Sequence, residues 1–300
     1  MAYQIKPKRS LVKERRRIAL EQLDKALQEL DSDALDVREY VHQLRVRIKK
    51  LRALLRLFRP SNEKWFDTEN AWLRDFAAQF AGPRDADVAV ETFHKIVESV
   101  DGGHSAAEFN EVLGLLEQNR TRRFQEEAPD SPIPQIRTLL KEGRSRIENW
   151  PEKKMQTKVL VSGFCRTYSR GRKALQQCAR DTQPEHWHEW RKRVKYQRYQ
   201  WKLLQRLWPN MIKPRRHELH RLSDLLGEIH DLSEFVNILD QLSIQNSQSR
   251  DKLVTLANQR SDRARRAALP LGEKLFSAKE KCVGVQIRQL YRIANEKYSA

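Results

Sequence analysis

Basic side chains recur at helical spacing in the stretch VHQLRVRIKKLRALLRLFRP, residues 41–60. The stretch holds seven Lys or Arg residues and no Asp or Glu. Because an α-helix turns by about 100° per residue, offsets of 0, 3, 7, 10 and 14 fall on one face. We call the residues on this face the first stripe: His42, Arg45, Lys49, Arg52 and Arg56. Side chains of these types bind phosphate oxygens through charge and through directed hydrogen bonds.

The same basic pattern returns in the second half of the sequence. H-x2-R-x3-K-x2-R recurs 146 residues further along, and residues 190–208 again hold seven Lys or Arg residues and no acid. The second stripe consists of His188, Arg191, Lys195, Arg198 and Lys202. Leu73 and Leu219 keep the same offset, as do the pairs Arg84-Asp85 and His230-Asp231. One register held over several elements predicts an internal duplication.

Helical periodicity dominates the elements that carry these stripes, and strand-like alternation is nearly absent. With Gly, Pro and Asp as boundary signals, the predicted helices are 9–30, 36–58, 62–81, 84–100, 105–127, 134–149, 153–180, 184–207, 212–227, 231–246, 248–268 and 271–297. Trp150-Pro151 marks a midpoint break. We therefore predict an all-α protein with two halves, residues 1–150 and 151–300, each resembling a four-helix bundle and related by a pseudo-twofold axis.

An apolar seam lies beside each basic stripe. In the first helix the seam is one residue out of phase with the stripe, at Val41, Leu44, Ile48, Leu51, Leu55 and Phe58. In the second helix it is rich in tryptophan, at Trp187, Trp190, Val194, Trp201, Leu204 and Trp208, and these residues are expected to pack in the core. A solvated face normally mixes acids with its cations, since like charges at i,i+4 cost a few tenths of a kcal/mol. Both stripes omit acids although the chain has 40, which indicates that a ligand neutralises them.

The composition indicates an anionic ligand. The 300 residues carry a formal net charge of +18, which favours nucleic acid, an acidic membrane surface or another polyanion. Three cysteines without a C-x-x-C motif are typical of reduced thiols in a cytoplasmic protein. We expect neither a signal peptide nor a membrane span, because no apolar run approaches the roughly 18 residues required.

Two classes of polyanion remain open at this point. Duplex-reading proteins present Asn and Gln to base edges, and single-strand binders interleave exposed aromatic side chains. The tryptophans here fall on the apolar seam instead, so the pattern favours a phosphate chain without bases. RNA or DNA bound by the same basic surface is the alternative.

At these residues the sequence resembles the conserved histidine α-helical domain (CHAD) family. The resemblance rests on the two stripe segments, VHQLRVRIKKLRALLRLFRP and HEWRKRVKYQRYQWKLL, and on LRDFAAQFAGPRDADV and LHRLSDLLGEIHDLSEF, which follow them. It implies two four-helix bundles around a basic central cavity that binds inorganic polyphosphate, in a cytoplasmic protein located at polyphosphate granules. The family's binding positions correspond to the ten stripe residues. A second, less closely aligned set is also expected near the cavity: Lys13, Arg16, Arg17, Arg74, Arg166, Arg170, Arg172 and His220.

The sequence offers no constellation typical of an enzyme. It has no G-x4-G-K-[ST] loop and no E-x-E, and Asp85, Asp87 and Asp231 are expected to cap helices or orient arginines. His42 and His188 lack neighbouring ligands at metal-binding spacing. We therefore predict a binding module with no catalytic residues, no metal and no cofactor, in which ligand binding protonates His42 or His188.

Overall fold

The protein was analysed as a computed structural model that describes residues 3–31, 36–80, 84–99, 106–127 and 132–296. Regular structure in these ranges is helical throughout, which confirms the predicted all-α class. The helices are α1 (Leu11–Asp31), α2 (Val37–Phe58), α3 (Glu63–Ala78), α4 (Arg84–Glu98), α5 (Asn110–Glu127), α6 (Ile133–Glu148), α7 (Thr157–Arg180), α8 (Pro184–Leu203), α9 (Pro209–Gln241), α10 (Ser247–Leu275) and α11 (Glu280–Glu296). Short 3₁₀ turns occur at Arg59–Ser61, Ala106–Phe109 and Gln205–Leu207.

Helix α2 carries the first stripe and is fixed at both ends. The side chain of Asp36 caps its N-terminus by accepting a hydrogen bond from the backbone N–H of Glu39 at 2.9 Å. The helix ends just before Pro60, as predicted. Its apolar seam faces the core, where Leu44, Ile48, Leu51, Leu55 and Phe58 are each at most 1% exposed. The stripe beside the seam is thereby held in one orientation.

The larger core unites helices from both halves of the sequence, and we call these helices the main body. It contains α1, α2, α3, α6, α7, α8, α11, the first half of α9 and the second half of α10. Helix α7 packs against both α2 and α8. Its approach to α2 depends on Gly163, where an added Cβ would lie 2.2 Å from the carbonyl oxygen of Leu57.

The second seam is buried as predicted at Trp187, Trp190 and Trp201. The prediction is wrong for Trp208, which is 47% exposed. Helix α8 ends at Leu203, and Trp208 lies after the following 3₁₀ turn, at the N-cap of α9. The helical spacing that placed Trp208 on the seam therefore does not apply.

A smaller core joins four further segments, which we call the satellite bundle. Helices α4 and α5 pack with the second half of α9 and the first half of α10. The buried side chains of this bundle include Phe93, Phe109, Leu116, Phe235 and Leu253. Helices from before and after residue 150 thus share both cores, while the internal duplication and the pseudo-twofold axis stay predictions.

Two predicted helix breaks are wrong. The predicted helices 212–227 and 231–246 form the single helix α9, because Gly227 is buried within a continuous helix that connects both cores. Helix α10 likewise passes through Pro270 to Leu275. Burial of Ala268 and Leu275 on either side of Pro270 offsets the backbone hydrogen bond that proline cannot make. None of the helices in the described ranges combines the length and apolar character that a membrane span requires.

Candidate functional site

A cavity of about 520 Å³ lies between the main body and the satellite bundle. Helices α2, α8 and α9 supply most of its wall, and α4 and α10 complete it. The lining residues are His42, Val46, Lys49, Thr92, Lys95, Arg191, Lys195, Arg198, Tyr199, His220, Ser223, Asp224, Gly227, Glu228, Asp231, Leu232 and Arg260. Because α2 packs against α8, members of both stripes reach this one cavity.

Lys49 and Lys195 come from different stripes and repel each other across the cavity. Burial, followed by Arg45 and Arg191, lowers the pKa of Lys49 to about 8. Burial, followed by Arg191 and Lys49, lowers the pKa of Lys195 to about 7. Within the described ranges neither amine has a carboxylate within 4 Å or a hydrogen-bond partner. The described part of the chain therefore holds two half-buried amines without a directly paired carboxylate, and the weaker attraction between Lys195 and Asp231 does not offset burial and the neighbouring cations.

Helix α9 gives the cavity an acidic side that the sequence reasoning did not anticipate. Each acid is already engaged by a basic side chain. Asp224 pairs with His220 at 2.8 Å, Glu228 pairs with Arg260, and Asp231 lies 3.6 Å from Arg191. The cavity is thus basic along α2 and α8, whereas the acids along α9 are paired with basic side chains. The excess positive charge of the cavity therefore lies on the side formed by the two stripes.

Three members of the first stripe are held by the protein itself. Arg45 donates to the carbonyl oxygen of Phe80 at 2.9 Å. Arg52 and Arg56 both donate to the side-chain oxygen of Asn70 at 3.1 Å. The Arg56 guanidinium also lies 3.8 Å from the ring centroid of Tyr196. Burial lowers the pKa of Arg56 to about 10. Arg52 and Arg56 continue along α2 past the cavity lining, and Arg45, which lies between the lining residues His42 and Lys49, is directed to Phe80 instead.

The histidine of the second stripe lies beside a second histidine that was not assigned from the sequence. The Nδ1 atoms of His188 and His230 are 3.4 Å apart, and their ring centroids are 4.7 Å apart. Burial, followed by Lys192 and Arg191, lowers the pKa of His188. Burial and Arg191 lower the pKa of His230 to about 3. Both rings are thus kept neutral by their surroundings and lie outside the cavity lining.

The less closely aligned set is mostly directed elsewhere. Lys13, Arg16 and Arg17 line a second cleft of about 600 Å³ along α1, where Arg16 pairs with Glu152. Arg74 pairs with Asp75 and Arg172 pairs with Glu280, away from the cavity. Arg166, which pairs with Glu63, and exposed Arg170 lie near Arg56, at the end of the first stripe beyond the cavity lining. His220 is the member of this set that lines the cavity. For Lys13, Arg16 and Arg17 the separation follows from the position of α1, which packs against α2 and α6 and directs these side chains to the cleft.

The satellite bundle contributes cavity residues that no sequence signal identified. Lys95 comes from α4 and Arg260 from α10, where the Arg260 guanidinium donates to the carbonyl oxygen of Lys95 at 2.6 Å. Lys95 belongs to no basic run, and Arg260 opens the basic stretch 260–266, which lies outside the repeated pattern. Their position depends on how the satellite bundle packs against α9, which is a tertiary property. No cluster of three or more His, Cys, Asp or Glu side chains suited to a metal ion occurs in the described part of the chain.

A comparison with known families agrees with the stripes. The sequence profile of the CHAD domain matches residues 17–240. The chain belongs to the CHAD family. The CHAD match takes in α2, α8 and α9 and every cavity residue except Arg260, whereas α11 lies beyond it.

Among solved structures, the CHAD chain is similar to PptA from Streptomyces chartreusis. The two share 15% sequence identity with a TM-score of 0.61, over 89% of this chain and 98% of that chain. The likeness shows a shared fold. No curated protein matches the sequence of this CHAD chain.

Proposed function

We propose that this protein binds inorganic polyphosphate in the cavity between α2, α8 and α9. The observation that carries the proposal is the pair of half-buried amines, Lys49 and Lys195, that share the cavity without a carboxylate within 4 Å of either in the described residues. Their lowered pKa values reflect how strongly burial and the neighbouring cations disfavour the charged amines. Phosphate oxygens placed beside both amines would favour their charged forms and raise both pKa values. CHAD domains are associated with polyphosphate binding, which supports the same ligand.

The surroundings of the two lysines suit a chain of phosphates. Arg191 and Arg198 flank them and offer planar, multidentate donors, while the lysines act as point charges. The hydrogen bonds from Arg52 and Arg56 to Asn70 hold the adjacent face of α2 in place. A preorganised site loses less conformational entropy when ligand binds.

The same geometry favours polyphosphate over single-stranded nucleic acid. Base stacking needs exposed aromatic faces. Tyr199 is the aromatic residue in the cavity lining, and it is 8% exposed. Trp187, Trp190 and Trp201 are buried in the core. RNA or DNA is the alternative ligand, and the competition titration includes both.

We infer further that the protein binds its ligand without turning it over. The cavity carboxylates Asp224, Glu228 and Asp231 are engaged by His220, Arg260 and Arg191, which supports a structural role for them. Binding without turnover would place the protein at polyphosphate granules in the cytoplasm. A fluorescent fusion should then form foci that disappear in cells depleted of polyphosphate.

The test is a competition titration at near-physiological salt. Labelled long-chain polyphosphate is bound to the protein and displaced by duplex DNA, by single-stranded RNA or by unlabelled polyphosphate. We expect polyphosphate to compete far better per phosphate than either nucleic acid. The double variant Lys49→Gln/Lys195→Gln should lose at least tenfold in affinity. Its matched control, Arg288→Gln/Arg292→Gln, removes two exposed cations from α11 and should bind nearly as the wild type does. Equal competition by RNA or DNA, or equal losses in both variants, would contradict the proposal.

A further inference from the structure

A group of cations beyond the cavity surrounds the turn between α8 and α9, and we call it the hairpin cluster: Lys202, Lys213 and Arg216. Lys202 lies in the last turn of α8, and the other two lie near the start of α9. The two helices pack together as an antiparallel hairpin around the turn Gln205–Leu207. Folding therefore brings together three cations from two helix ends.

The hairpin cluster is continuous with the cavity along both helices. On α8, Lys202 follows the cavity residue Arg198 by four residues, which is about one turn or 6 Å. On α9, Arg216 precedes the cavity residue His220 by the same interval. Arg198 and Arg216 also repel each other, and Lys202 is repelled by Arg216 and Lys213. An anion that leaves the cavity beside Arg198 would therefore meet these cations next.

The hairpin cluster lacks the acids that neutralise cations elsewhere around the stripes. In the described part of the chain, Lys202 and Lys213 have no carboxylate within 4 Å, and Arg216 donates to the side-chain oxygen of Gln205. Helix α9 thus changes character along its length. Its first two turns carry unneutralised cations, and its acids begin to face the cavity only at Asp224.

At the opposite end of the stripes most cations are already engaged, although exposed Arg170 there has no carboxylate within 4 Å in the described residues. Arg193 pairs with Glu189, and Arg166 pairs with Glu63. Arg52 and Arg56 share the side-chain oxygen of Asn70. A phosphate chain that continued in this direction would have to compete with existing partners. At the hairpin end, in the described part of the chain, two lysines without a carboxylate within 4 Å continue directly from the cavity lining.

We propose that the hairpin cluster is a second phosphate subsite, over which a linear polyphosphate too long for the cavity leaves the protein. This inference rests on the proposed function and specifies its ligand as a long chain. Short phosphates fill the cavity alone, whereas a long chain also contacts the hairpin cluster. A long chain also offers more overlapping positions at which the cavity can bind it, and this raises its affinity statistically. The additional contacts with the hairpin cluster raise its affinity beyond that statistical gain.

The experiment compares tripolyphosphate with long-chain polyphosphate on three proteins by calorimetry at several salt concentrations. The proteins are the wild type, Lys213→Gln/Arg216→Gln, and the control Arg288→Gln/Arg292→Gln. We expect the hairpin variant to lose about tenfold in affinity for the long chain, since two charged contacts disappear. Its log–log salt slope for the long chain should fall by about 2. Tripolyphosphate affinity should change less than twofold, and the control should retain both affinities.

Three outcomes would overturn the inference. Equal losses for tripolyphosphate and the long chain in the hairpin variant would remove the distinction between subsites. A matching loss in the α11 control would mean that affinity depends on the net charge of the protein and not on the position of the hairpin cluster. If the wild type bound neither probe, the proposed function itself would fail. Lys213→Glu provides a variant that leaves the fold undisturbed, because Lys213 is exposed, and it should weaken binding of the long chain only.

Discussion

Polyphosphate binding should weaken by about 100-fold between pH 6.5 and pH 8.5 through Lys49 and Lys195 alone. In the free protein their pKa values are lowered to about 8 and about 7, because burial and neighbouring cations disfavour the charged amines. Phosphate oxygens favour the charged form, so the ligand raises both pKa values. Each lysine that is neutral in the free protein must then take up a proton when the ligand binds.

The sign and the size of the effect follow from these pKa values. Well below pH 7 both lysines are already charged, so they take up no protons and their contribution to affinity is at its maximum. As the pH rises through the two free pKa values, affinity falls by about tenfold per pH unit for each lysine that has become neutral. Between pH 6.5 and 8.5 the loss is about 25-fold from Lys195 and about fourfold from Lys49. At pH 7.5 binding should take up about one proton in total.

Calorimetry in buffers of different ionisation enthalpy measures this uptake directly. The control is Lys49→Arg/Lys195→Arg, which keeps both charges but removes both titrations, since arginine stays protonated. Its affinity should change little with pH, and it should take up almost no protons near pH 7.5. Identical pH profiles for wild type and control would refute the reasoning. The predicted protonation of His188, whose pKa is lowered in the free protein, is separable, because proton uptake by that ring would persist in the arginine control.

Three further substitutions test the packing around the site by thermal unfolding. Lys195→Met should stabilise the ligand-free protein, because it removes a charge that burial and neighbouring cations disfavour. Tm should rise by about 2–4 °C for each unit by which the pKa of Lys195 is lowered in the folded protein. This gain should shrink as the pH rises above 7, because the amine of the wild type then becomes neutral. Gly163→Ala should cost about 3 kcal/mol or more, because its Cβ would lie 2.2 Å from the carbonyl oxygen of Leu57, and an unchanged Tm would contradict that close approach. Asn70→Ala should cost about 1–3 kcal/mol by removing an acceptor from buried Arg56, and should also weaken polyphosphate binding measurably; no change in either quantity would argue against a positioning role.

The stripes could be predicted because they depend on local properties of the sequence. The helical period places Lys49 beside the seam of Leu44, Ile48 and Leu51 whatever the rest of the chain does. The absence of acids in the same segments then indicates unneutralised charge. The repeat adds the second stripe and, with it, Lys195. These steps need no knowledge of how the helices pack.

The composition of the cavity depends on packing and could not be predicted in this way. The sequence predicts a helix break after Gly227, which separates Asp224 from Asp231. The acidic side that the continuous helix α9 presents to the cavity therefore could not be predicted. Lys95 and Arg260 reach the cavity only because the satellite bundle combines helices that are distant in the sequence. Arg16 has the same basic character as the stripe residues, yet α1 turns it to a different cleft. A residue type and a helical position therefore identify a candidate, and tertiary contacts decide whether it lines the site.

The structure of the protein in complex with a short polyphosphate tests the central claim most directly. We expect phosphate density in the cavity, with oxygens within about 3 Å of the amines of both Lys49 and Lys195. Density confined to the cleft along α1, or to the outer surface of the satellite bundle, would contradict it.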